Sequence, residues 1–256
     1  MTARVSLLRE MVETLRPSPL SAEEALPPLM VLLTIVTGLV DAVAYLRLGH
    51  VFVANMTGNV VFLGFAAGGA RGFSVTGSLL AVACFLPGGA AARRLVARAP
   101  GDRALQLRTA ASIQAVLFAA ALLLAGLAGS EPGASSRYGL IVLLALAMGV
   151  QNATARHLAV RDMTTTVLTQ TLTGLAAESR LGGGSGGGNG RRLLTVAAMA
   201  LGALLGALLL RELAPVAPLG LAEGLLLVVC VGAQRASVSR RRAAAAGAAR
   251  ARGGAG

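Results

Sequence analysis

Thr37-Gly38-Leu39-Val40-Asp41-Ala42, followed by Val53-Ala54-Asn55-Met56-Thr57-Gly58-Asn59, is a polar phrase set into apolar sequence, and the chain writes it twice. The second copy is Met148-Gly149-Val150-Gln151-Asn152-Ala153, followed by Thr164-Thr165-Thr166-Val167-Leu168-Thr169-Gln170-Thr171. Each copy has a glycine, then Asp or Asn three residues on, then alanine. A Thr-x-(Asn/Thr) element follows sixteen or seventeen residues later. Polar groups at matched places in two apolar halves point to a site built between repeats.

The surrounding composition places these groups in a membrane. Of 256 residues, 55% are hydrophobic and only 13% charged, and the mean hydropathy is +0.72. A soluble domain of this size needs more polar surface. Eight apolar segments run at roughly 27–46, 51–70, 74–92, 109–128, 138–156, 164–178, 193–210 and 215–234. Windows of about 20 nearly uncharged residues are long enough to cross a bilayer as helices. The expected fold is therefore all-α, a polytopic transmembrane helical bundle. Its two homologous halves cover about 27–128 and 138–234.

Arginine placement bears on how many segments cross. The net charge is +12, and lysine is absent. If all eight segments cross with both tails inside, the inside loops hold five arginines and the outside loops nine. That reverses the usual cytoplasmic bias. If the second and sixth segments enter and return, the inside loops hold ten arginines. The outside keeps Arg47, Arg71, Arg137 and Arg211. Six crossings and cytoplasmic termini follow, in a bacterial plasma (inner) membrane. Three crossings per half make the repeats inverted, whereas four would make them parallel. Length argues the other way, because 51–70 is apolar enough to span. The sixth segment is easier to keep within protein, since six of the ten residues 164–173 are threonine.

The flanks read more simply. Residues 1–26 carry Val5, Leu8, Met11, Val12 and Leu15 at helical spacing, with Arg9, Glu10 and Glu13 on the other side. That pattern predicts an amphipathic helix on the membrane surface. Ala42-Val43-Ala44 resembles a signal-cleavage site, but the region before the apolar run is too long and acidic for a leader. The glycine-rich stretch 182–190 reads as a flexible linker, since no Gly-Lys-Ser/Thr follows it. The tail 235–256, rich in Arg, Ala and Gly, reads as disordered and suited to anionic headgroups. Cys84 and Cys230 have no metal-type spacing, and no cofactor or metal is expected. No basic, aromatic-interleaved module suggests nucleic acid. The expected partners are the bilayer, a small solute or ion, and a second copy in a homo-oligomer.

The stretches Leu33 to Ala42 and Val51 to Asn59 closely resemble the YoaK-like family of bacterial multi-pass membrane proteins. The second half fits too, at Gly149-Val150-Gln151-Asn152-Ala153 and Thr165-Thr166-Val167-Leu168-Thr169. The resemblance covers about 28–235. It departs at Gln170-Thr171, where the family carries Gly and then a small polar residue. The resemblance implies a six-helix inner-membrane protein and no particular activity.

The residues themselves suggest the chemistry. A carboxylate at Asp41, deep in the first segment, costs about 2.5–3.5 kcal/mol on insertion scales unless it is paired, protonated or wet. Thr34, Gly38, Asp41 and Tyr45 share one helix face. Asn55 and Asn59 are four apart, so on a helix they share a face with Thr57 nearby, and Gly58 permits a close approach or a break. In the second half Gln151, Asn152, Thr166, Thr169 and Gln170 hold the matching places. The expected function is a transporter or channel for a small solute or ion, with Asp41, Asn55, Thr57, Gly58, Asn59, Gln151, Asn152, Thr166, Thr169 and Gln170 lining its site. Two alternatives stand beside it. One is a membrane scaffold or stress-linked partner, in which the polar groups only fix packing. The other is a membrane enzyme using Asp41 and His50 as an acid/base pair. Two small-residue patterns, Gly64-x-x-x-Gly68 and Gly202-x-x-x-Gly206, read as helix-packing faces.

Overall fold

A computed structural model describes residues 2–15, 25–129, 132–160, 168–178 and 188–253, and among these the chain has helices and no β-strands. The helices are α1 (Thr2–Leu15), α2 (Leu26–Arg47), α3 (Met56–Ala67), α4 (Val75–Val96), α5 (Arg103–Ala128), α6 (Ala134–Leu158), α7 (Leu168–Ala177), α8 (Asn189–Glu212) and α9 (Ala217–Gly253). Local chemistry sets several of the ends. Prolines occupy the first turn of α2, where a missing N–H costs nothing. Ser74 Oγ accepts from Gly77 N at 3.1 Å to start α4, and Asp102 Oδ1 accepts from Leu105 N at 3.0 Å to start α5.

Six of these helices, α2, α4, α5, α6, α8 and α9, are long and apolar enough to cross a membrane. The shortest have 22 residues, about 33 Å at 1.5 Å per residue, against a hydrocarbon core of about 30 Å. The second apolar segment forms no helix long enough to span, despite its composition. Residues 51–55 are not helical, and α3 has 12 residues, about 18 Å. In the sixth, whose residues 164–167 lie outside the described residues, α7 has 10 residues, about 15 Å. The chain is a multi-pass bundle with six candidate spans.

Helices α2 and α6 are the most enclosed. They contribute Met30, Leu33, Val36, Leu39, Ile141, Leu144 and Met148 to the core, and Phe118 of α5 and Leu226 of α9 close around them. Helix α2 packs on α8 and α9, and α6 packs on α4 and α5. Exposed Leu86, Val116, Leu123, Leu127, Leu204 and Leu227 form the surface that faces lipid.

Glycines let two of these seams close tightly, and in the same way. A Cβ on Gly38 would fall on the Met199 carbonyl and 2.6 Å from the Ala203 amide nitrogen. One on Gly149 would fall on the Phe85 carbonyl and 3.0 Å from the Gly89 amide nitrogen. From the other side, Gly202 meets the Ile35 carbonyl and Gly88 meets the Leu146 carbonyl. Gly206 follows along α8, beside Leu39 and Ala42. The expected pair Gly202 and Gly206 thus sits in a helix crossing. Gly64 has nothing within 4 Å and Gly68 meets only its own helix, so that pair packs nothing in this chain.

The flanks differ from expectation. Helix α1 forms, and Leu8, Val12 and Leu15 are exposed as a membrane-surface helix requires. Its Glu10, however, turns inward and accepts from Gly190 N at 2.9 Å, at the start of α8. Thr14 is buried, and Met11 packs against the core. The residue before α8 is Gly188, which gives no side-chain cap, so Glu10 supplies the anion favoured at a helix N-terminus. Of the glycine-rich stretch 182–190, residues 182–187 lie outside the described residues, while Gly188 precedes α8 and Asn189 and Gly190 open it, so that end is helix and not linker. The tail expected to be disordered is helical to Gly253 as a continuation of α9. Its alanines and arginines are strong helix formers, and no proline interrupts them.

Two measurements check this arrangement. In a background lacking Cys84 and Cys230, cysteines at Arg71 and Arg103 should be labelled from opposite faces of the membrane, with Arg103 on the same face as a cysteine at Ala243. Gly38→Leu and Gly149→Leu should each cost at least about 1–3 kcal/mol, read as lost thermal stability in detergent, because backbone cannot retreat as a side chain can. Gly64→Leu should stay within about 0.5 kcal/mol.

Candidate functional site

The site begins where α2 ends. The Leu48 N–H donates to Ala44 O at 3.1 Å and finishes the helix. Gly49 (φ 96°) and His50 (φ 57°) then reverse the chain. Residues 51–55 run back along α2 as far as Asp41. A non-helical strand of backbone inside a bilayer brings N–H and C=O groups that lipid cannot satisfy, each costing several kcal/mol.

Two side chains meet this demand. Asp41 Oδ1 accepts from Val53 N at 3.1 Å and from Ala54 N at 3.0 Å, and Oδ2 accepts from Asn55 Nδ2. Asn59 Oδ1 accepts from Phe52 N at 2.9 Å, while its Nδ2 donates to Phe52 O at 2.6 Å. Each residue type follows from its task. Three donors converge on position 41, which calls for an acceptor-only group. Position 59 faces one N–H and one C=O of a single residue, which calls for an amide. Asn59 is fully buried, and it is the one buried side chain of α3. Asn55 is not helical, as shared-face spacing with Asn59 supposed. It precedes α3 as the N-cap and turns to Asp41.

Aromatic rings wall the outer side of this staple. Phe52 stacks between Tyr45 and Phe62 at centroid distances of 5.2 and 5.8 Å, and Phe62 stacks on Phe73 at 5.0 Å. Gly58 makes room, since a Cβ there would lie 2.6 Å from the Phe52 ring. It serves a close approach within the helix, and the break falls at 48–55. The aromatic wall was not read from the sequence, because its members share no helical spacing and meet only when the chain folds back.

The second half is arranged differently. Gln151 is 1% exposed and donates through Nε2 to Leu33 O at 3.1 Å and Thr37 Oγ1 at 2.8 Å. Thr37 in turn donates to Leu33 O at 3.0 Å. This pair bridges the two enclosed helices, one turn along α2 from Asp41. Among the described residues Gln151 Oε1 has no donor, and neither has Thr154 Oγ1 one turn further along α6. Thr154 was missed; its spacing of three from Gln151 was the available signal. Asn152 Nδ2 donates to Met148 O of its own helix at 2.9 Å. Thr57, Thr169 and Gln170 are exposed, and Thr166 lies outside the described residues. Asp41, Asn55 and Asn59 thus gather in one place, and Gln151 joins the first half across the α2–α6 seam.

On α7, Thr171 is the one buried side chain. Arg192 of α8 fastens this helix by donating to Gly174 O at 3.1 Å and pairing with Glu178 at 2.7 Å. The guanidinium holds the Glu178 carboxyl below its ordinary pKa, chiefly through that hydrogen bond. Among the described residues no three His, Cys, Asp or Glu side chains gather into a metal site.

Asp41→Ala and Asn59→Leu should each undock the returning strand, since every orphaned backbone group costs about 1–3 kcal/mol. The readout is thiol labelling of an Ala54→Cys reporter, expected to rise at least about tenfold for a loss of ~1.4 kcal/mol. Labelling that stays at the parent level would mean that the strand is held by something else.

The comparisons agree with this architecture. Residues 29–232 match the family model described as protein of unknown function (DUF1275). The chain is also 36% identical over 148 residues to the UPF0700 transmembrane protein YoaK of Bacillus subtilis (strain 168). That alignment covers 57% of this chain and 64% of the relative, so the chain spans less than two thirds of the relative's length. No solved structure matches. A returning strand stapled by an acidic residue, six candidate spans and this match over most of the chain lead to one assignment: the chain belongs to the DUF1275 family of YoaK-like multi-pass membrane proteins.

Proposed function

We propose that the protein carries a small polar solute or ion across the plasma membrane through the seam between two inverted repeats, with both termini in the cytoplasm. The observation that carries this reading is the unpartnered Gln151 Oε1, buried between α2 and α6 beside Thr37. A buried acceptor left without a donor costs about 1–3 kcal/mol. An acceptor of this kind suits a cation or a solute that presents N–H or O–H groups. The Thr154 hydroxyl extends the polar line by one turn.

The repeat reading rests on matched packing. The α2–α8 seam and the α4–α6 seam use glycines against the same backbone atoms, with Gly38 answering Gly149 and Gly202 answering Gly88. Helix α3 packs on α4 as α7 packs on α8, and each of the two short helices buries one polar residue. Three spans in each half invert one half relative to the other, which puts the α2–α6 seam on the axis between them.

One observation favours the scaffold reading. All the acceptor capacity that Asp41 shows is turned to residues 53–55, and both functions of the Asn59 amide go to Phe52. In that reading the polar groups hold shape and nothing passes. The enzyme reading has less support, because His50 lies edge-on to the Tyr45 ring at 5.1 Å while Asp41 is turned to the returning strand.

Gln151→Leu separates these readings. It removes the orphaned oxygen and leaves the bond from Thr37 to Leu33 O in place, so thermal stability should hold within about 1 kcal/mol. Flux of protons, sodium or potassium in proteoliposomes should fall at least about tenfold. Wild-type flux equal to that of empty vesicles for all three probes, or unchanged flux in Gln151→Leu, would remove the seam as a pathway for them and leave the scaffold reading.

A further inference from the structure

The arginines at the α5 end of the bundle have different fates. Arg93 meets His157 Nδ1 at 3.1 Å, Arg103 donates to Leu158 O, Arg240 donates to Gly101 O, and Arg241 pairs with Asp102 at 3.8 Å. Arg108 has no acceptor or ion-pair partner among the described residues. It stands five residues inside α5, about 7.5 Å along the axis, exposed just before the apolar run 109–128. An unpaired guanidinium at that depth needs an anion or water.

A groove of about 490 Å³ opens at this point. Leu105, Arg108, Thr109 and Ser112 line one end, and Ile113, Val116 and Leu117 line the other, all on α5. Thr109 already donates to Leu105 O at 2.9 Å, so it offers only lone pairs. Ser112 has a long contact of 3.8 Å to Cys230 Sγ, which leaves its proton open to a stronger acceptor. From Arg108 onward the order along the helix is cation, hydroxyls, then branched apolar side chains. That matches the order of a phospholipid read from phosphate through ester to acyl chain.

We propose that this groove binds an anionic phospholipid, with the headgroup phosphate on Arg108, an ester oxygen on Ser112, and the acyl chain along Ile113, Val116 and Leu117. The charge on Arg108 selects against a zwitterionic lipid, whose own ammonium compensates its phosphate. One arginine near a membrane surface is worth about a fivefold preference for negative lipid. The groove is independent of any transported solute.

Native mass spectrometry of the full chain in non-ionic detergent tests this, with dioleoyl phosphatidylglycerol and dioleoyl phosphatidylcholine titrated separately. The first phosphatidylglycerol should bind about fivefold tighter than the first phosphatidylcholine. Arg108→Gln should abolish that preference, Arg108→Lys should keep most of it, and Arg94→Gln should leave it unchanged. Val116→Phe, which fills the apolar end, should weaken both lipids alike. Should Arg108→Gln fail to fold by size exclusion, the Lys and Phe variants decide. The proposal is overturned if the wild type shows no preference or if folded Arg108→Gln keeps it. It is also overturned if inorganic phosphate displaces phosphatidylglycerol, or if a chain dimer excludes lipid from the groove.

Discussion

A chain that turns back inside a bilayer must bring its own hydrogen-bond partners, and Asp41 and Asn59 are those partners here. The rest of the first half follows from that constraint. Because Asp41 collects the N–H groups of residues 53 and 54, α3 starts at depth instead of at the surface. Because Asn59 grips Phe52, the Phe52 ring is held against Tyr45 and Phe62, and the aromatic wall has its anchor. The carboxylate that looked like a costly charge in an apolar helix is satisfied by the backbone it retrieves.

Much of this was legible in the sequence, for identifiable reasons. Arginine counts separated six crossings from eight because loop charge is a property of topology, and topology follows from composition. Gly38 and Gly149 stood out as part of a repeated phrase, and both prove to be points where two backbones touch. The role of Asp41 was harder to read. Spacing along one helix cannot reveal a partner twelve residues on that arrives by a reversal, and nothing local announces the left-handed turn at His50. Glu10 misled for a similar reason. Its place among charged neighbours suggested a solvated face, while its partner Gly190 lies far along the chain. The helical tail was underestimated because arginine and glycine content was weighed above the helix propensity of alanine.

The two halves carry matched glycine contacts and spend their polar groups differently. The first spends its polar groups on backbone, through Asp41, Asn55 and Asn59. The second sends Gln151 across to the first half and keeps an acceptor in reserve. Matched glycine seams hold both arrangements in one scaffold, so the difference lies in a few side chains.

The grip of Glu10 on Gly190 also bears on assembly in time. These residues are 180 positions apart, so α1 leaves the ribosome long before its docking site exists. During that interval Leu8, Val12 and Leu15 can rest on the membrane surface while the Glu10 face stays vacant. Helix α8 receives its cap only when the second half has been inserted and α1 closes over it. Helix α1 is thus made before α8 yet can dock only after it, so its docking records that α8 is in place.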